Sequence, residues 1–118
     1  MKCIGIIGSR RRASNTDYIA VLNAFGSVYE PGDRIVSGGC WKGADNFAER
    51  IAKTDQVPIT IHYARWKQHG KAAGFIRNQD IANDADVLIA CVASDRTGGT
   101  EDTIKRYAKL GKDKVILV

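Results

Sequence analysis

The amino-acid sequence predicts an α/β fold: a Rossmann-like, doubly wound three-layer sandwich around a five-stranded parallel sheet of order 3-2-1-4-5. Two observations predict it. Short apolar runs alternate along the chain with longer segments whose apolar residues have helical spacing. Five short apolar strands separated by amphipathic helices imply a parallel sheet that is covered on both faces. We expect right-handed crossovers between these strands.

The first part of the chain contains a strand, a helix, a turn and a second strand. Residues 2–8 form an apolar run rich in Ile, which predicts the first strand. Asn15-Thr16-Asp17 is expected to cap a helix that extends to residue 28. Pro31-Gly32-Asp33 predicts a turn, and residues 34–37 predict the second strand.

The middle of the chain adds a helix over residues 44–54, a strand over 57–63 and a helix over 74–85. In the last of these, Ile76, Ile81 and Ala82 are expected to face inward. Residues 64–78 include a long polar stretch, and we predict a loop before the helix. Long loops in compact domains are often functional.

The last part of the chain completes the alternation. Residues 86–92 predict the fourth strand. Residues 100–110 predict a helix with Ile104, Tyr107, Ala108 and Leu110 inward. Gly111 is expected to end that helix. Residues 114–118 predict the fifth strand.

Length and composition bound the function classes. The 118 residues fit one domain over 1–118, and no apolar run approaches the ~20 residues that span a bilayer. The net charge of +5 is scattered over helix surfaces except at Arg10-Arg11-Arg12, which favours a small phosphorylated ligand over long nucleic acid. Cys3, Cys40 and Cys91 lack metal-ligand spacing, so we expect no metal. An odd number of cysteines without a secretion signal predicts a reducing cytoplasm, and we expect no cofactor.

Three glycine-containing loops follow strands one, two and four, and strand order brings them to one sheet edge. In this order the direction of winding reverses between strands one and four, and ligands bind outside the carboxyl ends of strands at such a point. Helix N-termini there attract phosphate. The candidate ligand-binding residues are Gly8, Ser9, Arg10, Ser37, Gly38, Gly39, Gly43, Asp45, Arg77, Asn78, Gly98, Gly99 and Thr100.

Several of these side chains have an alternative structural role. Asp45 is expected to bind ribose hydroxyls or to cap its helix, and Arg77 to face the site or to form a surface salt bridge. Trp41 either stacks on a base or covers its loop. Glu101 and Asp102 either place a carboxylate beside a ribose or interact with the helix dipole.

Four motifs occur in the order of a known family: Gly8-Ser9-Arg10, Ser37-Gly38-Gly39 with Gly43-Ala44-Asp45, the segment 70–78, and Gly99-Thr100. Together they resemble the YspA-like branch of the SLOG superfamily, which includes the DNA-processing protein DprA and the LOG enzymes. The resemblance covers essentially the whole chain. It implies a Rossmann-like domain that binds a nucleotide or a nucleotide-derived ligand. Small YspA-like proteins are often found in phages or mobile elements.

The resemblance leaves three functions open. The first is nucleotide binding or sensing, with amides of Ser9, Gly38, Gly39, Gly99 and Thr100 and the Arg10 side chain on phosphate, and Asp45 or Asn78 on ribose. The second is LOG-like cleavage of the N-glycosidic bond of a nucleoside monophosphate by Asp45, Glu101 or Asp102 with Arg77. The third is single-stranded DNA binding, as in DprA, through Arg10–Arg12, Trp41, Lys42 and Trp66.

The hydrolase motif of LOG enzymes is incomplete here. LOG enzymes carry Pro-Gly-Gly-x-Gly-Thr-x-x-Glu, whereas this chain has Arg96-Thr97-Gly98-Gly99-Thr100-Glu101-Asp102-Thr103. The proline is absent, and Thr103 stands where the catalytic glutamate is expected. This departure weakens the hydrolase hypothesis and leaves phosphate binding intact. A homodimer is compatible with helix surfaces rich in Ala and aromatic residues.

Overall fold

The computed structural model describes residues 1–118 and contains one five-stranded parallel sheet of order β3-β2-β1-β4-β5. This order confirms the predicted fold class. The strands are β1 (Cys3–Gly8), β2 (Arg34–Ser37), β3 (Ile59–Ile61), β4 (Val87–Cys91) and β5 (Val115–Leu117). The winding reverses between β1 and β4, so the loops after β1, β2 and β4 begin at the same edge of the sheet.

Helices cover both faces of the sheet. They are α1 (Asn15–Val28), α2 (Ala44–Asp55), the one-turn α3 (Trp66–His69), a 3₁₀ turn (Gly70–Ala72), α4 (Ala73–Asp84) and α5 (Gly99–Lys109). The larger core lies between the sheet and α1 and α2, and includes Phe25 and Phe47. A smaller core, with Ile81 and Tyr107, lies between the sheet and α4 and α5.

The structure differs from the sequence-based expectations at element ends and in one segment. Ser14, rather than Asn15-Thr16-Asp17, is the N-cap of α1, and it forms a capping box with Asp17. The stretch predicted as a loop contains α3 and the 3₁₀ turn. Neither element has a buried residue, so no apolar spacing marked them in the sequence. None of the helices combines the length and the apolar character that a membrane span requires.

Three side chains that were expected to face inward do not, and one of them is Ala108, which is exposed on α5. Ile76 is 40% exposed on α4, and Leu110 is 45% exposed just beyond α5. Tyr107 is fully buried as predicted, and its hydroxyl donates to the Asp86 carbonyl oxygen at 2.8 Å. Gly111 follows the C-cap of α5 with a φ of 79°, the left-handed conformation that glycine adopts at helix ends.

Candidate functional site

A cavity of about 720 Å³ opens at the carboxyl ends of β1 and β2 and at the N-terminus of α5. It is within the size range of small-molecule sites, roughly 300–1,000 Å³. Of the predicted ligand-binding residues, those that line the cavity are Gly8, Ser9, Arg10, Gly38, Gly39, Asp45, Arg77, Asn78, Gly98, Gly99 and Thr100. Ser37 and Gly43 do not line it and instead support the residues that do.

The three adjacent arginines after β1 have different surroundings. Arg11 forms a two-pronged ion pair with Asp95, with N–O distances of 2.9 and 2.7 Å. Arg12 donates to Asp17 and to the carbonyl oxygens of Val92 and Val118. Arg10 is exposed, lines the cavity and has no hydrogen-bond or ion-pair partner in the chain. Arg10 is therefore the one arginine in the cavity wall whose N–H donors are all free.

The Ser9 backbone is less available than the sequence suggested. Its N–H donates to the Cys91 carbonyl oxygen at 2.9 Å, which continues the pairing of β1 with β4 beyond the last strand residue. This amide is therefore not free to bind phosphate, contrary to the expectation above. The Ser9 hydroxyl accepts from the Arg11 N–H at 3.1 Å, and its own proton remains available to a ligand.

Gly38 lies where Asp45 and Arg77 approach the same point of the backbone. Arg77 Nη1 donates to the Gly38 carbonyl oxygen at 2.9 Å. A Cβ atom added to Gly38 would lie 2.7 Å from Arg77 Nη1 and 2.9 Å from Asp45 Oδ2. Glycine is therefore required here by close approach, and a guanidinium and a carboxylate share one small part of the cavity wall.

Asp45 is a buried carboxyl, 9% exposed, in the first turn of α2. Its Oδ2 accepts from the Cys40 N–H at 3.1 Å, and its Oδ1 lies 3.0 Å from the Ser37 hydroxyl. Burial raises the pKa of Asp45, against the hydrogen bonds from Cys40 and Ser37 and the positive charge of Arg77. The Ser37 hydroxyl also lies 2.7 Å from the Ile6 carbonyl oxygen. A hydroxyl has one proton, so Ser37 can donate to only one of these two acceptors. A proton on Asp45 could then donate to the Ser37 oxygen, and both contacts would be hydrogen bonds.

Asn78 is 5% exposed, and neighbouring groups use both its oxygen and its nitrogen. Its Oδ1 accepts from Arg77 Nε at 3.0 Å, and its Nδ2 donates to the Gly99 carbonyl oxygen at 3.3 Å and to Asp102 at 3.0 Å. Asn78 therefore orients Arg77 and joins α4 to the start of α5. This arrangement leaves little of the amide free for a ribose hydroxyl.

The two acidic residues at the start of α5 do not line the cavity. Glu101 forms a two-pronged ion pair with Arg96, with N–O distances of 2.8 and 2.9 Å. Burial alone would raise the pKa of Asp102, but hydrogen bonds from Arg106 and Asn78 outweigh this effect and lower it. Of the three carboxyls proposed for catalysis, only Asp45 lines the cavity.

The N-terminus of α5 presents free backbone donors to the cavity. Gly98 is its N-cap, has a φ of 101° and provides no capping side chain. The N–H groups of Gly99 and Thr100 have no acceptor in the chain. By contrast, α1 lies away from the cavity and carries a complete capping box. Uncapped N–H groups and the helix dipole together attract an anion.

Three exposed aromatic side chains also line the cavity: Trp41, Tyr63 and Trp66, which are 78%, 62% and 60% exposed. Tyr63 was not a predicted site residue, because it was assigned to the third strand. Gly39 has a φ of 74°, and a Cβ atom there would lie 2.5 Å from Tyr63 Cε1. The ring of Tyr63 therefore rests on the Gly39 backbone while most of its surface stays accessible.

Comparisons with known proteins show the fold but not a family. No protein-family model matches the chain. The chain is similar to the Gene 61 protein of Mycobacterium phage D29, with 35% identity over 83 residues that cover 65% of each protein, just under two thirds. It is also similar to the molybdenum cofactor binding protein from the phototrophic bacterium Rippkaea orientalis, with a TM-score of 0.76 and 24% identity, covering 98% of this chain and 75% of that one. This second similarity agrees with the α/β fold described above.

Proposed function

We propose that this chain binds a nucleotide or a nucleotide-derived small ligand in the cavity at the carboxyl edge of the sheet. The observation that carries the proposal is the combination of groups in one cavity. Free phosphate donors, a buried carboxyl beside a guanidinium, and accessible aromatic rings all line it. These match the three parts of a nucleotide: phosphate, sugar and base.

Arg10 and the N-terminus of α5 are the proposed phosphate site. Arg10 offers an unpaired guanidinium fork, and Gly99 and Thr100 offer free N–H groups. The Thr100 side chain, in the first turn of α5, adds a hydroxyl close to them. An arginine and the end of a helix dipole both favour a dianionic phosphate over a neutral ligand.

Asp45 is the proposed sugar-binding group, and the aromatic side chains are the proposed base-binding surface. Asp45 Oδ2 accepts one hydrogen bond from Cys40, which leaves lone pairs for a ribose hydroxyl. Tyr63 is the best-placed ring, because it lies against the Gly39 backbone while most of its surface stays accessible. A base that stacks on an aromatic side chain gains about 1–3 kcal/mol.

We also propose that the chain is a single-domain member of the SLOG superfamily, in its YspA-like branch. The four ordered motifs support this, because their residues converge on one cavity. Similarity to a phage protein agrees with an origin in phages or mobile elements. Membership would be contradicted if a profile built from this chain and its relatives failed to align these motifs with other SLOG sequences.

Two alternatives use the same residues. An N-glycosidic hydrolase is favoured by the raised pKa of Asp45, which suits proton donation to a leaving base. It predicts release of free base from a nucleoside monophosphate and its loss in Asp45→Asn. Single-stranded DNA binding is favoured by the exposed Trp41 and Trp66. It predicts an affinity that increases with oligonucleotide length and falls steeply with salt.

The proposal is tested by calorimetric titration and thermal shift with the four 5′-mononucleotides, cyclic nucleotides and ADP-ribose. A ligand at 100 times its Kd raises the free energy of unfolding by about 2.7 kcal/mol. Arg10→Ala should weaken binding by about 10-fold or more, since a hydrogen bond to a charged group is worth about 1.5–3 kcal/mol. Arg34→Ala is the control, because Arg34 lies at the start of β2, at the opposite edge. Absence of binding by every compound, or equal binding by both variants, would refute the proposal.

A further inference from the structure

A second cavity, of about 320 Å³, adjoins the first. It lies beyond β3, beside α3 and the first turns of α4. Tyr63 and Arg77 line both cavities, so the two share one part of their wall. The residues that line only the second cavity include Arg65, His69 and Asp80. The proposed nucleotide function uses none of these three.

The second cavity carries donors that the protein itself does not use. Arg65 and His69 have no side-chain hydrogen bond and no ion pair in the chain, and both are exposed. His62 also lines this cavity but is paired with Asp84, with 2.6 Å between Nε2 and Oδ2. Asp80 is exposed and forms no ion pair. An anion entering this cavity would therefore meet two free basic side chains and one carboxylate that can accept from a hydroxyl.

Arg77 supplies the link between the two cavities. Its Nε donates to Asn78 and its Nη1 to the Gly38 carbonyl oxygen, and it forms no salt bridge with a carboxylate. A guanidinium has five N–H donors, so three remain after these two bonds. Asn78 and Gly38 hold the group in place between the cavities and leave three of its N–H donors free for an anion.

We propose that the natural ligand has two phosphate-bearing units, the first in the larger cavity and the second in the cavity lined by Arg65, His69 and Asp80. The class of ligand is a nucleotide joined through phosphate to a second nucleotide-like unit. The connecting phosphate, which is also the 5′-phosphate of the second unit, is contacted by Arg77, Arg65 and His69, and Asp80 accepts from a hydroxyl of that unit. This inference rests on the proposed function, and it deepens that function by naming the ligand class.

The test compares ligands of increasing length on the full chain by isothermal titration calorimetry. The probes are 5′-AMP, the 5′-phosphorylated dinucleotide pApA and the corresponding tetranucleotide, repeated with guanine, cytosine and uracil. We expect pApA to bind about 10-fold or more tightly than AMP, since it adds charge-assisted hydrogen bonds. We expect the tetranucleotide to bind no more tightly than pApA. Equal affinity for AMP and pApA, or a continued increase with length, would overturn the inference.

Arg65→Gln separates the second cavity from the first. It should weaken pApA binding by about 5- to 10-fold and change AMP binding less than about 2-fold, because only pApA has a second phosphate. Arg34→Gln, which removes the same charge at the opposite edge, should change neither. If AMP binds and depends on Arg10 while Arg65→Gln has no effect on pApA, this inference fails and the proposed function stands. If neither probe binds with any base, both fail.

Discussion

Replacing Gly38 by alanine is the sharpest single perturbation of the candidate site. Gly38 does not have a positive φ, so its backbone conformation suits any residue. The new methyl group would lie 2.7 Å from Arg77 Nη1, 2.9 Å from Asp45 Oδ2 and 3.1 Å from Arg77 Cδ. Asp45 is buried and held by Ser37 and Cys40, whereas Arg77 is only half-buried. We therefore expect Arg77 to move and Asp45 to stay.

The effect on stability should be modest. Moving Arg77 breaks its 2.9 Å hydrogen bond to the Gly38 carbonyl oxygen. A hydrogen bond to a charged group contributes about 1.5–3 kcal/mol, and partial exposure of Arg77 places this one at the lower end. Replacing glycine by alanine also restricts the unfolded chain, and this offsets about 0.4–1 kcal/mol of the lost stability. The net loss is about 1 kcal/mol, or about 3–5 °C in Tm for a chain of this size.

The effect on binding should be larger than the effect on folding. We expect Gly38→Ala to weaken binding of the proposed nucleotide ligand about 10-fold or more, because the guanidinium leaves its place beside Asp45. Calorimetric titration and urea unfolding measure the two effects separately. Gly26→Ala is the matched control: a Cβ atom there meets nothing within 4 Å, so stability should rise by about 0.5 kcal/mol with binding unchanged.

A double-mutant cycle decides whether the effect of Gly38→Ala acts through Arg77. In an Arg77→Ala background the new methyl group meets no guanidinium, so Gly38→Ala should cost little further affinity. If the two substitutions instead weaken binding additively, displacement of Arg77 is not the cause. If Gly38→Ala folds and binds as the unsubstituted protein does, the close approach at Gly38 has no functional consequence.

Two further predictions concern stability. Asp45→Asn should gain stability relative to the unsubstituted protein as pH rises from about 4 to 7. The carboxyl of Asp45 has a raised pKa in the folded state, so the unfolded chain ionises first and folding becomes less favourable as pH rises. Asparagine does not ionise, so the variant lacks this loss. Urea unfolding at several pH values measures this, and a difference that is constant or shrinks with pH would contradict it. Arg12→Ala should lower the free energy of unfolding by about 2–3 kcal/mol, because Arg12 holds Asp17 and two carbonyl oxygens. Arg10→Ala should change it by less than about 0.5 kcal/mol, and equal losses for the two would show that burial and pairing do not distinguish them.

The fold was predictable because its signals are local and repeated. The buried strands β1 and β4 are short apolar runs that contain Ile, and a long helix such as α2 carries an apolar face that packs on the sheet. Strand order then brought separate glycine loops to one edge, which is why most predicted ligand residues line one cavity. These steps need only the periodicity of apolar residues, which the sequence shows, and the general rules for connecting parallel strands.

The individual roles of the site residues were not predictable, because they depend on contacts between distant segments. Arg10 and Arg11 are neighbours of the same type, yet only Arg11 lies where Asp95, 84 positions later, can pair with it. Asn78 was expected to bind ribose, but in the structure its amide connects Arg77 with α5. Tyr63 was predicted as a strand residue, because its contact with the distant Gly39 backbone leaves no signal in the local sequence.

The candidate site concentrates several features that cost stability. Away from the cavity, α1 begins with a capping box. At the cavity, α5 begins with an uncapped glycine at positive φ, and α2 places the buried carboxyl of Asp45 in its first turn. Three large aromatic side chains lie exposed in the cavity wall, and Arg10 has no counter-charge. A bound nucleotide would satisfy all of these groups together, since it supplies an anion, a hydroxyl donor and a flat apolar ring. A single ligand class would therefore satisfy several groups that are unrelated in sequence. This is the strongest argument that these groups are functional.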